Sequence, residues 1–338
     1  MTSAMAGNSG VGNSGAGSGG LGSGGSGPAA PPIDLTVRIG SLVLANPVMT
    51  ASGTYGKGLE FRTFYEVGRL GAIVVKTITS EPRAGNAPRR LVETAGGLLN
   101  SIGLENPGIE EYVRTYLPLL RTLRAPVVIN IAGHSPDDFA ALAARLDPEP
   151  GIAALELNMS CPNVAHGMDF STNPDAAREV VTRVRAKTGL PLIAKLSPNV
   201  TDVRPIAKAA VAAGADAVSV INTLLGLAID WRRRMPVLGR GVGGLSGPAI
   251  KPVALRIVRD VARAIDAPVI GIGGIQDADD AMEFLVAGAS AIQVGTANYY
   301  LPTACVDILD GLPSRFAALG ATCMKDVVGT LGDPMQIA

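Results

Sequence analysis

The residues with the clearest chemical potential lie in Leu155-Glu156-Leu157-Asn158-Met159-Ser160-Cys161-Pro162-Asn163. The apolar first half, from Ala153, reads as a short buried strand. Proline cannot extend a central strand, so the chain must leave the sheet at Pro162. Asn158, Ser160 and Cys161 are thereby presented at the C-terminal end of a strand. A free cysteine is most often a small buried hydrophobe. A thiol, unperturbed near a pKa of about 8.5, can also be tuned toward working pH and act as a general base. The neighbouring strand ends decide between these readings.

Lys76 and Lys195 both close apolar runs. An ammonium withdrawn from water is costly unless it meets an anion. Gly271-Ile272-Gly273-Gly274 and Val294-Gly295-Thr296 follow two further apolar runs. Glycines in such turns let backbone N–H groups approach a phosphate. Two lysines and several amides around a phosphate suit flavin mononucleotide (FMN), whose reduced ring develops negative charge that nearby cations stabilise. Asn130, Asn158 and Asn222 can each donate and accept, as a planar ring carrying both kinds of group requires.

These residues converge only if the elements behind them form one sheet. Val37-Arg38-Ile39 and Leu42-Val43-Leu44 alternate around Gly40-Ser41 as a small hairpin. Eight short apolar runs follow, at residues 47–51, 72–76, 127–131, 153–157, 192–196, 217–221, 269–272 and 291–294. Helix signals separate them. Ser135-Pro136 and Asn173-Pro174 place a capping side chain before a proline at the first helical position. Thr201 and Asp277 are further N-cap candidates, Gly189 and Gly214 sit where helices would end, and Val180, Val181 and Val184 make one apolar stripe. Eight strands alternating with helices predict a parallel sheet closed into a (β/α)8 TIM barrel, an α/β fold. A doubly wound open sheet lacks the GxGxxG turn after its first strand.

In a barrel the C-terminal strand ends share one mouth. Here they would carry Ser52-Gly53, Lys76-Thr77, Asn130, Asn158 with Cys161, Lys195, Ile221-Asn222-Thr223, Gly273-Gly274 and Gly295-Thr296. The glycine pairs fall after strands seven and eight, where barrels commonly bind phosphate. Two long connections, roughly residues 77–110 and 223–247, leave from the same face and should lie over it. His134, His166 and the run Trp231-Arg232-Arg233-Arg234 read as solvated loop residues.

Composition narrows the partners. With 29 basic and 29 acidic side chains, nothing favours nucleic acid or an anionic membrane. Cys161, Cys305 and Cys323 are too few and scattered for a disulfide framework or a metal site. A cytoplasmic setting fits. Residues 1–32 contain no charge and 11 of the chain's 42 glycines, so a disordered Gly/Ser-rich tail is expected there. Residues 33–338 should form the single catalytic domain.

The chain is similar to the dihydroorotate dehydrogenases, and within them to the catalytic subunit of the class 1B, NAD-linked branch. The resemblance runs from about Val37 to Leu312. It rests on Ala45-Asn46-Pro47 through Ser52-Gly53-Thr54, Asn100-Ser101-Ile102-Gly103-Leu104 with Asn106-Pro107-Gly108, Asn158 through Asn163, Lys195-Leu196-Ser197-Pro198-Asn199, and Gly243-Gly244-Leu245-Ser246-Gly247-Pro248. It implies that Ser52, Lys76, Thr77, Asn130, Asn158, Lys195, Ile221, Gly247, Gly273, Gly274, Gly295 and Thr296 hold FMN. It implies that Lys76, Asn100, Ser101, Ile102, Gly103, Leu104, Asn158, Asn222 and Thr223 hold the substrate. Cys161 matches the catalytic base. Ser101 stands where alanine is frequent and Met168 where glycine is frequent.

The implied reaction is oxidation of dihydroorotate to orotate in pyrimidine synthesis. The resemblance further implies a partner subunit carrying FAD and a [2Fe–2S] cluster, in a complex of two catalytic and two electron-transfer chains, and no membrane association. The alternatives are a class 1A, fumarate-using enzyme, or an FMN barrel reducing uridines in transfer RNA. The balanced charge argues against the RNA enzyme.

Overall fold

The computed structural model describes residues 33–160 and 170–332. The expected tail at 1–32, and Cys161, His166 and Met168, lie outside the described residues.

The chain opens with the expected hairpin, β1 (Val37–Ile39) and β2 (Leu42–Leu44), which pairs Val37 with Leu44 and Ile39 with Leu42. Next come β3 (Val48–Thr50) and β4 (Ile73–Val74), then an antiparallel pair, β5 (Leu91–Thr94) and β6 (Gly97–Asn100). After them follow β7 (Val127–Ile131), β8 (Ala154–Asn158), β9 (Leu192–Lys195) and β10 (Ala217–Val220). A second excursion holds β11 (Leu224–Leu227), β12 (Ile229–Asp230), β13 (Met235–Pro236) and β14 (Val242–Ser246). The last strands are β15 (Val269–Ile272) and β16 (Ala291–Val294).

Eight of these form one parallel sheet in the order β3-β16-β15-β10-β9-β8-β7-β4. Its ends meet at a parallel bridge between Met49 and Ala72. There the Gly71 N–H donates to Val48 O at 2.9 Å, and the Thr50 N–H donates to Ala72 O at 3.3 Å. The sheet is therefore a barrel, and each of the eight expected apolar runs supplies one of its strands. From β7 to β10, and again in β15 and β16, every barrel-strand residue is buried. Helices cover the outside and side chains fill the inside, so these strands read as near-continuous apolar runs.

Helices start where capping side chains are available. Ser135 and Asp138 form a capping box ahead of Pro136–Leu146, and Asn173 Oδ1 accepts from the Asp175 N–H at 2.8 Å ahead of Pro174–Arg185. Asp277 caps Ala278–Ala287 in the same way. Thr201 does not serve as a cap. The helix Arg204–Ala212 begins after Val203, and the Asp202 carboxylate accepts from the Arg204 N–H at 3.0 Å. Gly214 follows the end of that helix with a φ of +106°, whereas Gly189 lies three residues past the C-cap of Pro174–Arg185.

The two long connections are not plain loops. They pair with each other as a four-stranded antiparallel sheet in the order β11-β14-β6-β5. Gly244, Leu245 and Ser246 stand opposite Asn100, Leu99 and Leu98. Trp231-Arg232-Arg233-Arg234 forms the exposed turn between β12 and β13, with the Arg232 guanidinium stacked 4.4 Å from the Trp231 ring. No helix among the described residues is long and apolar enough to cross a membrane.

Candidate active site

A cleft of roughly 1350 Å³, counting its open mouth, lies at the C-terminal ends of the barrel strands under the four-stranded sheet. Its wall gathers Ser52, Lys76, Thr77, Asn158, Lys195, Ile221, Gly247, Gly273, Gly274, Gly295 and Thr296 from the barrel side. The excursion sheet and its neighbours add Asn100, Ile102, Gly103, Leu104, Asn222 and Thr223. Two residues singled out from the sequence do not reach that wall. Ser101 is buried behind it, its hydroxyl accepting from Asn86 Nδ2 at 2.9 Å. Asn130 lies inside the barrel against Glu156.

Polar groups at or just past the ends of three alternate strands, β4, β8 and β10, make one chain of hydrogen bonds. Asn158 Nδ2 donates to Thr77 Oγ1 at 3.2 Å. Asn222 Nδ2 reaches Asn158 Oδ1 at 3.4 Å, Ser160 O at 2.7 Å and Ser160 Oγ at 2.9 Å. The Asn222 Oδ1 in turn accepts from the Thr223 N–H at 2.8 Å. Each asparagine is thus held in one orientation. Asn100 is tied to the opposite strand, donating through Nδ2 to Gly244 O at 3.1 Å.

The glycine turns shape the other end. Gly273 has a φ of +129°, and a Cβ there would stand 2.9 Å from the Ala254 Cβ. Gly247 has a φ of +98° and lies so close to Gly97 that a Cβ would meet its Cα at 2.8 Å. Only glycine suits such backbone and such spacing. Thr296 Oγ1 donates to Ser246 Oγ at 2.8 Å, joining the exit of β16 to β14. Behind that exit, Asn298 Nδ2 donates to Val294 O and Gly295 O at 3.0 and 3.1 Å, while its Oδ1 accepts from Cys305 Sγ at 3.3 Å. Burial pushes the Cys305 thiol up to about 12, so this cysteine buttresses the turn and is no base at neutral pH.

Sequence reasoning missed a buried cluster beneath the cleft. Glu156, fully buried in β8, accepts from Asn130 Nδ2 at 2.6 Å, Gln293 Nε2 at 2.6 Å and Ser219 Oγ at 2.9 Å. Lys195 Nζ lies 3.8 Å from Glu156 Oε2 and donates to Ser52 Oγ at 3.3 Å. The available signal was a polar residue inside an otherwise apolar strand: Glu156 in Ala-Leu-Glu-Leu, Ser219 in Ala-Val-Ser-Val, Gln293 in Ala-Ile-Gln-Val. Ser246, Gln276, Tyr299 and Tyr300 also line the cleft and were not singled out. His134 is exposed on a loop, 2.9 Å from Arg83 Nη1.

The dihydroorotate dehydrogenase family profile matches residues 34–316. Three relatives carry the same description, the catalytic subunit of dihydroorotate dehydrogenase B (NAD(+)). The one from Trichlorobacter lovleyi is 53% identical over 298 residues, covering 88% of this chain and 98% of the relative. Those from Geotalea uraniireducens and Desulforamulus reducens are each 52% identical, with the same coverage.

Proposed function

The chain belongs to the dihydroorotate dehydrogenase family, and on that premise we propose that it is the catalytic subunit of an NAD-linked enzyme that oxidises dihydroorotate to orotate. The observation that carries this reading is the convergence of Lys76, Asn100, Asn158, Lys195, Asn222 and the glycine turns of β15 and β16 on one cleft.

The residues present fit FMN. Gly273-Gly274 and Gly295-Thr296 bring glycine-turn backbone to the cleft wall, suited to a phosphate. Lys195 and Ser52 supply a cation and a hydroxyl to the same cleft. When bound, FMN supplies two-electron acceptor chemistry.

The chain's own residues do the rest. Lys76 neutralises the carboxylate of the substrate, and Asn100, Asn158, Asn222 and Thr223 pair with its ring amides. Leu104 and Ile102 give the cleft apolar wall beside it. Cys161 takes the proton from C5, and the C6 hydrogen leaves with its electron pair, for which bound FMN would be the acceptor. This cysteine directly follows Ser160, which Asn222 anchors. A partner subunit carrying FAD and a [2Fe–2S] cluster would take the electrons on.

The test is direct. The purified protein should be yellow with one noncovalent FMN per chain, bleached by dihydroorotate without oxygen. Colourless protein that takes up no FMN on reconstitution would sink the reading.

A further inference from the structure

Glu156 is a carboxylate with no exposure to solvent, in the interior of a barrel. Burying such a charge costs several kcal/mol unless other groups compensate it. Here three donors from β7, β10 and β16 and the Lys195 ammonium from β9 all address one side chain. Two of those donors are amides whose nitrogens face the carboxylate while their oxygens, Asn130 Oδ1 and Gln293 Oε1, have no partner among the described residues. A buried amide oxygen left unpaired is costly. The interior is thus organised around a negative charge at a cost in hydrogen bonding.

Lys195 connects that charge to the cleft. Its ammonium lies between Glu156 Oε2 and Ser52 Oγ and lines the cleft wall. Alone, a desolvated cation facing a flavin would strongly favour the reduced, negatively charged ring and retain its electrons. With a carboxylate fixed behind it, the cation acts as one end of a dipole, and its pull is offset.

We propose that Glu156 is a positioning residue for the flavin site: it fixes Lys195 and Asn130 and offsets the lysine's charge, holding the reduction potential low enough for electrons to move on. This rests on the FMN reading above. The partner of the carboxylate is the protein's own lysine, and no bond forms or breaks at Glu156.

The test measures the midpoint potential of protein-bound FMN, with cofactor stoichiometry as its control. Glu156→Gln removes the charge and keeps the shape, and Asn130 and Gln293 can turn their unpartnered oxygens toward the new amide. Its equilibrium should shift at least tenfold toward reduced flavin, a rise of about 30 mV for a two-electron couple. Glu156→Asp keeps the charge and should recover more than half of that shift. Ser219→Ala removes a donor to the carboxylate, leaves its charge less compensated, and should lower the potential; it carries the test if Glu156→Gln does not fold. An unchanged potential in Glu156→Gln overturns the inference, as does an equal shift in Glu156→Asp, or a potential in Ser219→Ala that stays put or rises. A wild type that binds no FMN is a different failure, that of the cofactor reading itself.

Discussion

Asn222, just past the end of β10, holds Ser160, just past the end of β8. One side-chain nitrogen donates to both the carbonyl and the hydroxyl of Ser160, at 2.7 and 2.9 Å. Ser160 is fully buried and immediately precedes Cys161, the proposed base.

Removing that tie should misplace the base more than the cofactor. A misplacement of about 1 Å can cost on the order of a hundredfold in rate. Asn222→Ala is expected to slow flavin reduction by dihydroorotate by about that factor in stopped-flow absorbance, with FMN content unchanged. Ser160→Ala loses only the hydroxyl half of the tie and should slow it less. Equal rates in wild type and Asn222→Ala would mean that the segment is held by other contacts.

Cys161 is the proposed base. Cys161→Ala should bind FMN and orotate and reduce its flavin at least about a hundredfold more slowly, the range expected for loss of a general base. Cys161→Ser should keep partial activity with its pH profile moved upward, because an alkoxide forms less readily than a thiolate. Wild-type flavin reduction in Cys161→Ala would place the base elsewhere.

On the proposed reading, electrons reach NAD through a second chain. A [2Fe–2S] cluster usually needs four thiolates, and this sequence has three cysteines. The catalytic chain alone should therefore reduce a dye or oxygen but scarcely reduce NAD, and activity with NAD should appear on adding the partner. NAD reduction as fast as dihydroorotate oxidation by the isolated chain would contradict this. Rapid turnover with fumarate would indicate class 1A behaviour instead.

Gly271 sits in β15 directly beneath the Phe284 ring. A Cβ there would lie 2.5 Å from Phe284 Cδ1 and 3.2 Å from Ala289 Cβ. Both neighbours are fully buried, so the added methyl must push the Ala278–Ala287 helix outward. Overpacking of this kind costs about 1–3 kcal/mol. Gly271→Ala should lower the urea midpoint by a corresponding amount with an unchanged slope.

Cys305 makes stability fall at alkaline pH. Burial raises its pKa from 9.0 to about 12, so between those values the unfolded chain releases a proton that the native chain retains. The native state then binds more protons than the unfolded one, and stability declines as pH rises through that window. Comparing urea midpoints at pH 7 and pH 11 should show a smaller alkaline loss in Cys305→Ala than in wild type. An identical loss would assign the effect to other groups.

The sequence alone determined the eight-stranded parallel architecture and most of the cleft wall. Barrel strands are buried on both faces, so residues 127–131 or 192–195 stand out as continuous apolar runs, and polar residues at their C-terminal ends have one mouth to share. Ser135, Asn173 and Asp277 were legible as helix starts because a cap acts on residues two or three positions away. Thr201 misled because Asp202, one residue on, bonds the same stretch of backbone.

Tertiary structure decided what depends on partners distant in the chain. The pairing of β6 with β14 is invisible locally, since Gly97–Asn100 and Val242–Ser246 are short, hold three glycines between them and mix buried with half-buried and exposed positions. Tertiary packing also put Ser101 behind the wall and turned Asn130 toward Glu156. The cluster around Glu156 needed the closed barrel most of all. Asn130, Ser219 and Gln293 stand 26, 63 and 137 positions from it in sequence, and only closure of the sheet brings their donors to one carboxylate.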